Sequence, residues 1–460
     1  MQVEFNTDLI KKYDQAGPRY TSYPTAVQFH SGFGEQDYRQ CAKKSNQATE
    51  TGPLSLYFHI PFCNTVCFYC GCNKVVTKDR SKAATYLDYM QREMAMQAQL
   101  FDSDRRVEQL HWGGGTPTFI SHAEMTELMR QTRAHFNLFD DDRGEYSIEI
   151  DPREADAQTI TLLRRLGFNR LSLGVQDFDP AVQKAVNRIQ SEKETMQVID
   201  VARQEGFKSI SLDLIYGLPK QSVDSFGKTL DKIIAVLPDR LSVFNYAHLP
   251  EMFKPQRRIN IEELPAPSVK LDIMQLIISR LTEAGYVYIG MDHFARPDDE
   301  LAQAQAEGSL YRNFQGYSTH ADCDLVAMGV SGLGQVANSY SQNVKTLDEY
   351  YKILDEGHLP IYRGIELNAD DILRRHVITR LMCDFYLDWQ VLGAQFDIKV
   401  QEYFANEWKA LESMQVDGLL TIDNLRLQVS PAGRLLIRNI CMVFDKYLQG
   451  SSEQRFSRVI

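Results

Sequence analysis

Between residues 54 and 246, six short β-rich runs alternate with longer stretches in which apolar residues return every three or four positions. The runs are LSLYFHI (54–60), QLHWGGG (109–115), YSIEID (146–151), RLSLGV (170–175), SISLDLIYG (209–217) and RLSVFNY (240–246). Stretches such as Tyr86 to Leu100 and Ala123 to Phe136 carry the helical period between them. A helix between two strands returns the chain to the starting end of the sheet, so successive strands pair in parallel. The class is therefore α/β. Six such units fit a full or partly open barrel, and a doubly wound sheet would show the same alternation. The placement of reactive side chains separates the two. His59-Ile60-Pro61 runs into a cysteine loop, and Gly113-Gly114-Gly115-Thr116-Pro117 follows the second run. Glu149 and Asp151 end the third, Gln176 follows the fourth and Asp213 lies within the fifth. Barrel enzymes collect reactive residues from several strand ends on one face, which favours a partly open parallel (β/α)6-type barrel.

The flanks differ in character. Residues 1–53 contain GPRYTSYPTA (17–26), an aperiodic segment that reads as an arm tied down by aromatic contacts. A proline-rich stretch from Glu251 to Ser268 reads as a linker or crossover. Residues 270–284 look helical, VYIGMDHFA (287–295) is expected as one further strand, and small residues cluster in MGVSGLGQVANSY (328–340). Asn368-Ala369-Asp370-Asp371 is a helix-start signal. Helices are expected near 371–386, 397–413 and 431–448, with a hairpin turn at Asp423-Asn424. The expected division is an N-terminal arm with helices covering the active site (1–53) and a barrel core (54–290). A barrel extension and connecting region (291–368) and a small, mainly helical C-terminal domain with a wing (369–460) complete it.

Composition narrows the function. With 43% hydrophobic residues in 460, disorder and fibrous architectures are excluded. A formal charge of -11 leaves no broad basic field for a nucleic-acid backbone, although a local basic pocket is compatible with it. No run approaches the roughly 18 apolar residues of a membrane span, so no membrane partner is expected. The opening residues lack the features of a secretory signal, which makes cytoplasm the expected location.

Four of the eight cysteines fall in CNTVCFYCGC, at 63, 67, 70 and 72, directly after the first strand. Clustered thiols in a reducing compartment read as metal ligands or redox groups. Cys63, Cys67 and Cys70 can converge on an iron–sulfur cluster, because thiolates suit iron and zinc. Zinc is the alternative, but no second ligand pair stands at zinc-ribbon spacing. Three sulfurs on a [4Fe–4S] cube would leave one iron open to a ligand. Cys72 either closes that position or points away through the turn that Gly71 permits. The GGGTP loop, with N–H groups expected to face an anionic or zwitterionic ligand, favours the open iron. Cys41, Cys323, Cys383 and Cys441 stand singly and read as small buried hydrophobes.

CxxxCxxC after the first strand and GGGTP after the second resemble the radical S-adenosylmethionine enzymes. A closer resemblance is to the oxygen-independent coproporphyrinogen III oxidases. It is carried by GPRYTSYPTA, YFHIPFC, CGCNK, LHWGGGTPT, EIDPRE, FNRLSLGVQDF, VNR, DLIYGLP, SVFNYAHLP, MDHFARPDDEL, RNFQGY, GRLLIRNICM and the terminal FSRVI, over essentially the whole chain. The resemblance implies a [4Fe–4S] cluster on Cys63, Cys67 and Cys70 with one non-cysteine-ligated iron, and two S-adenosylmethionine molecules per chain. The first would be contacted by Tyr57, Gly114, Glu149 and Leu333. The second would be contacted by Tyr69, Gly115, Thr116, Gln176, Arg188, Asp213 and Ala247. Without it, Asp213 reads as a polar strand-end residue and Arg188 as a surface helix residue. Glu149 and Asp151 read as caps, and Leu333 and Ala247 as core.

The implied activity is radical decarboxylation of two propionates of coproporphyrinogen III to vinyl groups, giving protoporphyrinogen IX for haem biosynthesis. The implied partners are that substrate and an electron donor of the flavodoxin or ferredoxin kind, acting on a monomer. Arg19, Arg296, Arg312, Arg363 and Arg374 are candidates for receiving the substrate's carboxylates. A haem-binding or haem-trafficking relative without decarboxylase activity is the rival. The GPRYTSYP arm and the CxC extension to Cys72 speak for the enzyme.

Overall fold

The computed structural model describes residues 3–49 and 51–448, so the terminal FSRVI motif lies outside the described residues. The chain forms two compact units, Phe29–Ala266 with Asp322–Glu366, and Met1–Gln28 with Pro267–Ala321 and Leu367–Ile460. These units interleave along the sequence, dividing after Gln28, Ala266, Ala321 and Glu366.

The first unit holds the six expected strands: β1 (Leu54–Ile60), β2 (Arg106–Gly114), β3 (Glu145–Ile150), β4 (Arg170–Gln176), β5 (Ser209–Tyr216) and β6 (Arg240–Asn245). They pair in parallel in sequence order. On the other side of β1 lies β7 (Asp324–Met328), also parallel, and then β8 (Leu333–Val336), β9 (Ser339–Asn343) and β10 (Ile361–Glu366) continue antiparallel. The glycine-rich stretch 328–340 is thus mostly strand. The pairing of these strands forms a path and not a ring, which is a partly open barrel.

Helices α1 (Ser81–Ala98), α2 (His122–His135), α3 (Ala157–Leu166), α4 (Glu192–Gln204) and α5 (Val223–Val236) make the crossovers. Their starts are set locally. Ser121 with Glu124 and Ser191 with Glu194 form capping boxes, and Asp156 accepts from the Thr159 N–H. β3 alternates strictly. Tyr146, Ile148 and Ile150 of β3 are buried, whereas Glu145, Ser147 and Glu149 occupy the opposite face. On that face polar groups meet across strands: His111 Nδ1 with Ser147 Oγ at 2.6 Å, and Ser172 Oγ donating to Asp213 at 3.2 Å. One side of the sheet is an apolar core under the helices and the other a polar lumen.

In the second unit the arm folds onto the C-terminal segment. Tyr20 donates to Asp445 at 3.0 Å, and Arg438 donates through Nε to the Pro18 carbonyl at 2.8 Å. The helix Ala369–Asp384 begins with an Asn368–Asp371 capping box, as its sequence predicts. Strands Tyr386–Asp388, Leu420–Ile422 and Arg426–Val429 make the wing. Three expectations change. VYIGMDHFA is an antiparallel pair, Val287–Gly290 with His293–Ala295, because Met291 adopts a left-handed turn at φ 56°. The helix near 397–413 breaks at Phe404 into Val400–Tyr403 and Ala405–Val416. The final helix is short, a 3₁₀ turn at Gly433–Leu436 followed by Ile437–Val443. Among the arginines proposed for substrate, Arg374 is consumed by Asp370 and Glu407, both at 2.8 Å. Arg19 pairs with Asp292 and Arg296 with Asp298, while Arg363 donates to Gln342. Arg312 is buried over the Tyr317 ring. No helix among the described residues is long and apolar enough to cross a membrane.

One buried group on α1 ties the end of β7 to β9. Glu93 of α1 accepts from the Gly329 N–H at 2.7 Å, Asn343 Nδ2 at 2.8 Å and the Tyr350 hydroxyl at 2.5 Å. Beside it Tyr86 donates to the His59 carbonyl and accepts from the Val330 N–H. All three partners of Glu93 are neutral, and burial pushes its carboxyl up to about 7. The unfolded chain releases this proton near the ordinary carboxylate value, so between the two values the folded chain holds the extra proton. Stability therefore falls as pH rises through that window. Glu93→Gln removes this dependence. Urea midpoints at pH about 5 and about 7.5 should show wild type losing on the order of 2–3 kcal/mol more than the variant.

Candidate functional site

The C-terminal ends of β1 to β6 open into a cavity of about 380 Å³. Cys63, Cys67, Cys70 and Cys72 enter it from the loop after β1, and Gly114, Gly115 and Thr116 from the loop after β2. Tyr69, Glu149, Asp151, Arg153, Ser172, Gly174, Gln176, Arg188, Asp213 and Phe244 also line it.

The two loops are bonded to each other. The Gly115 N–H donates to the Ile60 carbonyl at 2.9 Å and the Thr116 N–H to the Phe62 carbonyl at 2.8 Å. The Gly114 N–H donates to Glu149 Oε2 at 3.0 Å. These N–H groups are engaged within the protein, so the loop does not present them to a ligand as the sequence suggested. Its glycines serve close approach instead. A Cβ on Gly115 would stand 2.6 Å from the Pro61 carbonyl group, and one on Gly114, at φ +117°, 2.8 Å from the His59 ring. The cysteine loop is also closed on itself, with Phe62 and Cys63 pairing with Val75 and Val76.

The thiols differ. Cys67 Sγ accepts from Arg188 Nη1 at 3.6 Å and Arg153 Nη2 at 3.7 Å, so two guanidinium groups place positive charge at this sulfur. Cys70 is pulled down by the Cys72 thiol, with the Lys74 ammonium assisting against burial, whereas Cys72 is pushed up. Thr116 donates to Cys63 at 3.5 Å, and burial raises that thiol to about 11. Thiolate is the ligand form, and one of the four thiols, Cys72, acts as a hydrogen-bond donor to its neighbour.

The charged lining is paired but not saturated. Asp151 receives Arg153 at 2.6 Å and Arg188 at 3.0 Å, and burial of its carboxyl is outweighed by these cations, which hold it below the usual range. Arg188 Nη2 donates to the Gly174 carbonyl at 2.6 Å. Burial also works against Glu149, yet His111 (3.4 Å), the Gly114 N–H and His59 keep it ionised. Asp213 is different: burial, opposed by Ser242 and reinforced by Glu149, pushes it up to about 6. Arg188 Nε and Gln176 Oε1 are buried without a hydrogen-bond partner, and both residues line the cavity. Gln176 is further held at a left-handed φ of 68°. Unsatisfied buried donors and acceptors facing a cavity fit a polar ligand carrying carboxylate, amino and hydroxyl groups. The donor set therefore suits the implied cluster and cofactor.

A family model for the Radical SAM superfamily matches residues 57–233, and one for the HemN C-terminal domain matches residues 367–436. An oxygen-independent coproporphyrinogen III oxidase of Pseudomonas aeruginosa is 55% identical, covering 100% of this chain and 99% of that protein. The chain belongs to the oxygen-independent coproporphyrinogen III oxidase family. The Escherichia coli K12 protein of the same name is 51% identical over 100% of this chain and 99% of its own length. The solved structure described as coproporphyrinogen III oxidase (HemN) from Escherichia coli superimposes with a TM-score of 0.92 at 49% identity, covering 97% of this chain and 100% of that one. The radical-SAM fold implies an iron–sulfur cluster and S-adenosylmethionine binding.

Of the residues singled out in the sequence, Tyr69, Gly114, Gly115, Thr116, Glu149, Gln176, Arg188 and Asp213 line the cavity with the three cysteines. Tyr57, Ala247 and Leu333 are not in its wall. Tyr57 stacks on His111 at 5.8 Å and bonds His59 at 3.1 Å. Ala247 lies in the loop after β6, and Leu333 opens β8 opposite Gln342. Sequence reading missed Arg153, whose proximity to Cys67 depends on the fold. The signal that could have found it is EIDPRE, where it follows Asp151 by two positions.

Gly115→Ala tests the loop contact. The added methyl meets backbone, which cannot swing aside, so the cysteine loop must shift. Iron incorporated on anaerobic reconstitution should fall several-fold while far-UV circular dichroism stays that of wild type.

Proposed function

We propose that this chain oxidatively decarboxylates two propionate side chains of coproporphyrinogen III to vinyl groups without oxygen, yielding protoporphyrinogen IX. The observation that carries the reading is the full-length match, 55% identical, to an enzyme of that name. Cys63, Cys67 and Cys70 hold the [4Fe–4S] cluster and Cys72 stays outside it, leaving one iron for the cofactor. When bound, the cluster and S-adenosylmethionine supply an electron and a radical able to take hydrogen from an unactivated propionate carbon.

The chain's own residues bind, orient and shield. Ionised Glu149, with Tyr57, Gly114 and Leu333, takes the first S-adenosylmethionine, its carboxylate accepting from an ammonium or hydroxyl. Arg188 offers its unpartnered Nε edge to a carboxylate of the second, where Tyr69, Gly115, Thr116, Gln176, Asp213 and Ala247 also belong. Cys72, donating to Cys70, supports an accessory role for the fourth thiol. An external carrier of the flavodoxin or ferredoxin kind supplies the reductant.

Product analysis of anaerobically reconstituted protein given S-adenosylmethionine, reductant and coproporphyrinogen III tests the reading; no protoporphyrinogen IX and no CO2 would refute it. Cys63→Ser, Cys67→Ser and Cys70→Ser should each abolish reductive cleavage of S-adenosylmethionine, while Cys72→Ser keeps a four-iron Mössbauer spectrum. Loss of the cluster in Cys72→Ser with retention in Cys63→Ser would reverse the assignment. Asp213, pushed up to about 6, carries its negative charge only above that value, and the charge is what strengthens the hydrogen bonds it accepts. Labelled S-adenosylmethionine should bind at two per chain, and the weaker step should lose roughly tenfold in affinity as pH drops through this region. Asp213→Asn should make that step weak and independent of pH.

A further inference from the structure

The cysteine loop is the candidate redox centre of this chain, so each electron it passes on has to arrive from another molecule. Its outward side is unusual for a protein of net charge -11. From Pro61 to Lys82 the sequence carries Lys74, Lys78, Arg80 and Lys82 against a single carboxylate, Asp79; Lys74 lines the cavity and Arg80 pairs with Glu154, which leaves Lys78 and Lys82. This stretch is fastened to the loop by the pairing of Val75 and Val76 with Phe62 and Cys63, and by the Thr77 N–H, which donates to the Cys63 carbonyl at 3.0 Å. The other flank is residues 252–258. There Gln256 donates to the Tyr69 carbonyl at 3.0 Å, the Phe253 ring covers Gly71, and Arg258 lies over the Phe68 ring at 5.4 Å. That flank adds Lys254, Arg257 and Arg258 and no carboxylate. Lys78, Lys82, Lys254, Arg257 and Arg258 are all exposed, and none forms an ion pair within the described residues. Two exposed apolar side chains belong to these flanks, Val76 at 46%, paired with Cys63, and Met252 at 55%, next to Phe253.

Unpaired surface cations contribute little to folding, and like charges gathered on one face repel. What such a face provides is a local positive field that steers an anionic partner, with apolar groups for a small, short-lived contact. We infer that this face is the docking surface of a small acidic electron-carrier protein that reduces the cysteine-bound centre one electron at a time. The inference rests on the proposed function only in requiring that centre to be reduced. In the encounter the carrier's anionic flavin hydroquinone loses one electron and becomes the neutral semiquinone. The centre gains that electron, and no bond or proton is exchanged.

The test combines Lys78→Glu, Lys82→Glu, Arg257→Glu and Arg258→Glu in the reconstituted protein, with flavodoxin as the probe. At an ionic strength of about 20 mM the variant should bind oxidised flavodoxin, and be reduced by its hydroquinone in stopped flow, at least roughly tenfold more weakly than wild type. The difference should largely vanish at about 500 mM salt, where charges are screened. Cleavage of S-adenosylmethionine driven by dithionite should stay within about twofold, because a small reductant does not need the face. Unchanged flavodoxin binding and reduction would overturn the inference. So would a raised KM for coproporphyrinogen III with flavodoxin binding intact, which would assign the face to substrate. If the fourfold variant does not fold, wild type decides: flavodoxin reduction insensitive to salt is equally fatal. Absence of protoporphyrinogen IX with either reductant would refute the proposed function, while flavodoxin binding would still judge this surface.

Discussion

Two backbone hydrogen bonds, from Gly115 to Ile60 and from Thr116 to Phe62, hold the site in register. β1 and β2 are adjacent and parallel, so their following loops leave the sheet at the same edge and compete for the same space. The bonds resolve that competition by laying one loop directly on the backbone of the other. Only a residue without a side chain permits the approach at Gly115, where a Cβ would collide with the Pro61 carbonyl. Once the loops are locked, Cys63 lies against Thr116, and the cysteines share a cavity with the carboxylates of β3 and β5. The alternation of β3 and β5 then matters, because it turns Glu149 and Asp213 into the lumen while their neighbours pack under helices.

Burial alone would discharge such a lumen. A carboxylate removed from water either finds partners or keeps its proton, and the cavity shows both outcomes. Asp151 is bracketed by Arg153 and Arg188 and remains ionised, whereas Asp213 has Ser172, Ser242 and a repelling Glu149 and moves up to about 6. The same Arg188 reaches the Cys67 sulfur. One guanidinium thereby couples a carboxylate, a thiol and a carbonyl from three separate segments.

Much of this architecture is legible in the sequence because it is local. Period and strand-end chemistry mark the six βα units. Four thiols in ten residues after a strand mark the metal loop, and Asn368 with Asp371 marks a helix start. What is not legible depends on closure of the chain. Arg188 looks like an ordinary helix residue until the fold brings it to Asp151, and Glu93 resembles any glutamate of an amphipathic helix until Gly329, Asn343 and Tyr350 surround it, some 236 to 257 residues downstream. The glycine loop misleads for the opposite reason. A GGG run looks like an anion nest, but a nest requires free N–H groups, and these are committed to neighbouring carbonyls and to Glu149. The break at Phe404 follows from a single irregular residue with no glycine or proline to announce it.

The unsatisfied atoms on the cavity wall follow from the same arrangement. Arg188 cannot turn its Nε toward solvent, because Nη1 is held by Asp151 and Nη2 by the Gly174 carbonyl. Gln176, at the end of the same strand as Gly174, is fixed by a left-handed backbone that directs it away from the regular ladder. Both side chains are thus oriented before any ligand arrives, and the cost of leaving an N–H and a carbonyl oxygen dry is carried by the folded protein. A ligand that satisfies them recovers that cost without ordering either side chain. Pre-organisation of this kind raises affinity through contacts the chain has already prepared. It is strictest at Arg188, where the bonds that orient the cation also keep it beside the Cys67 sulfur.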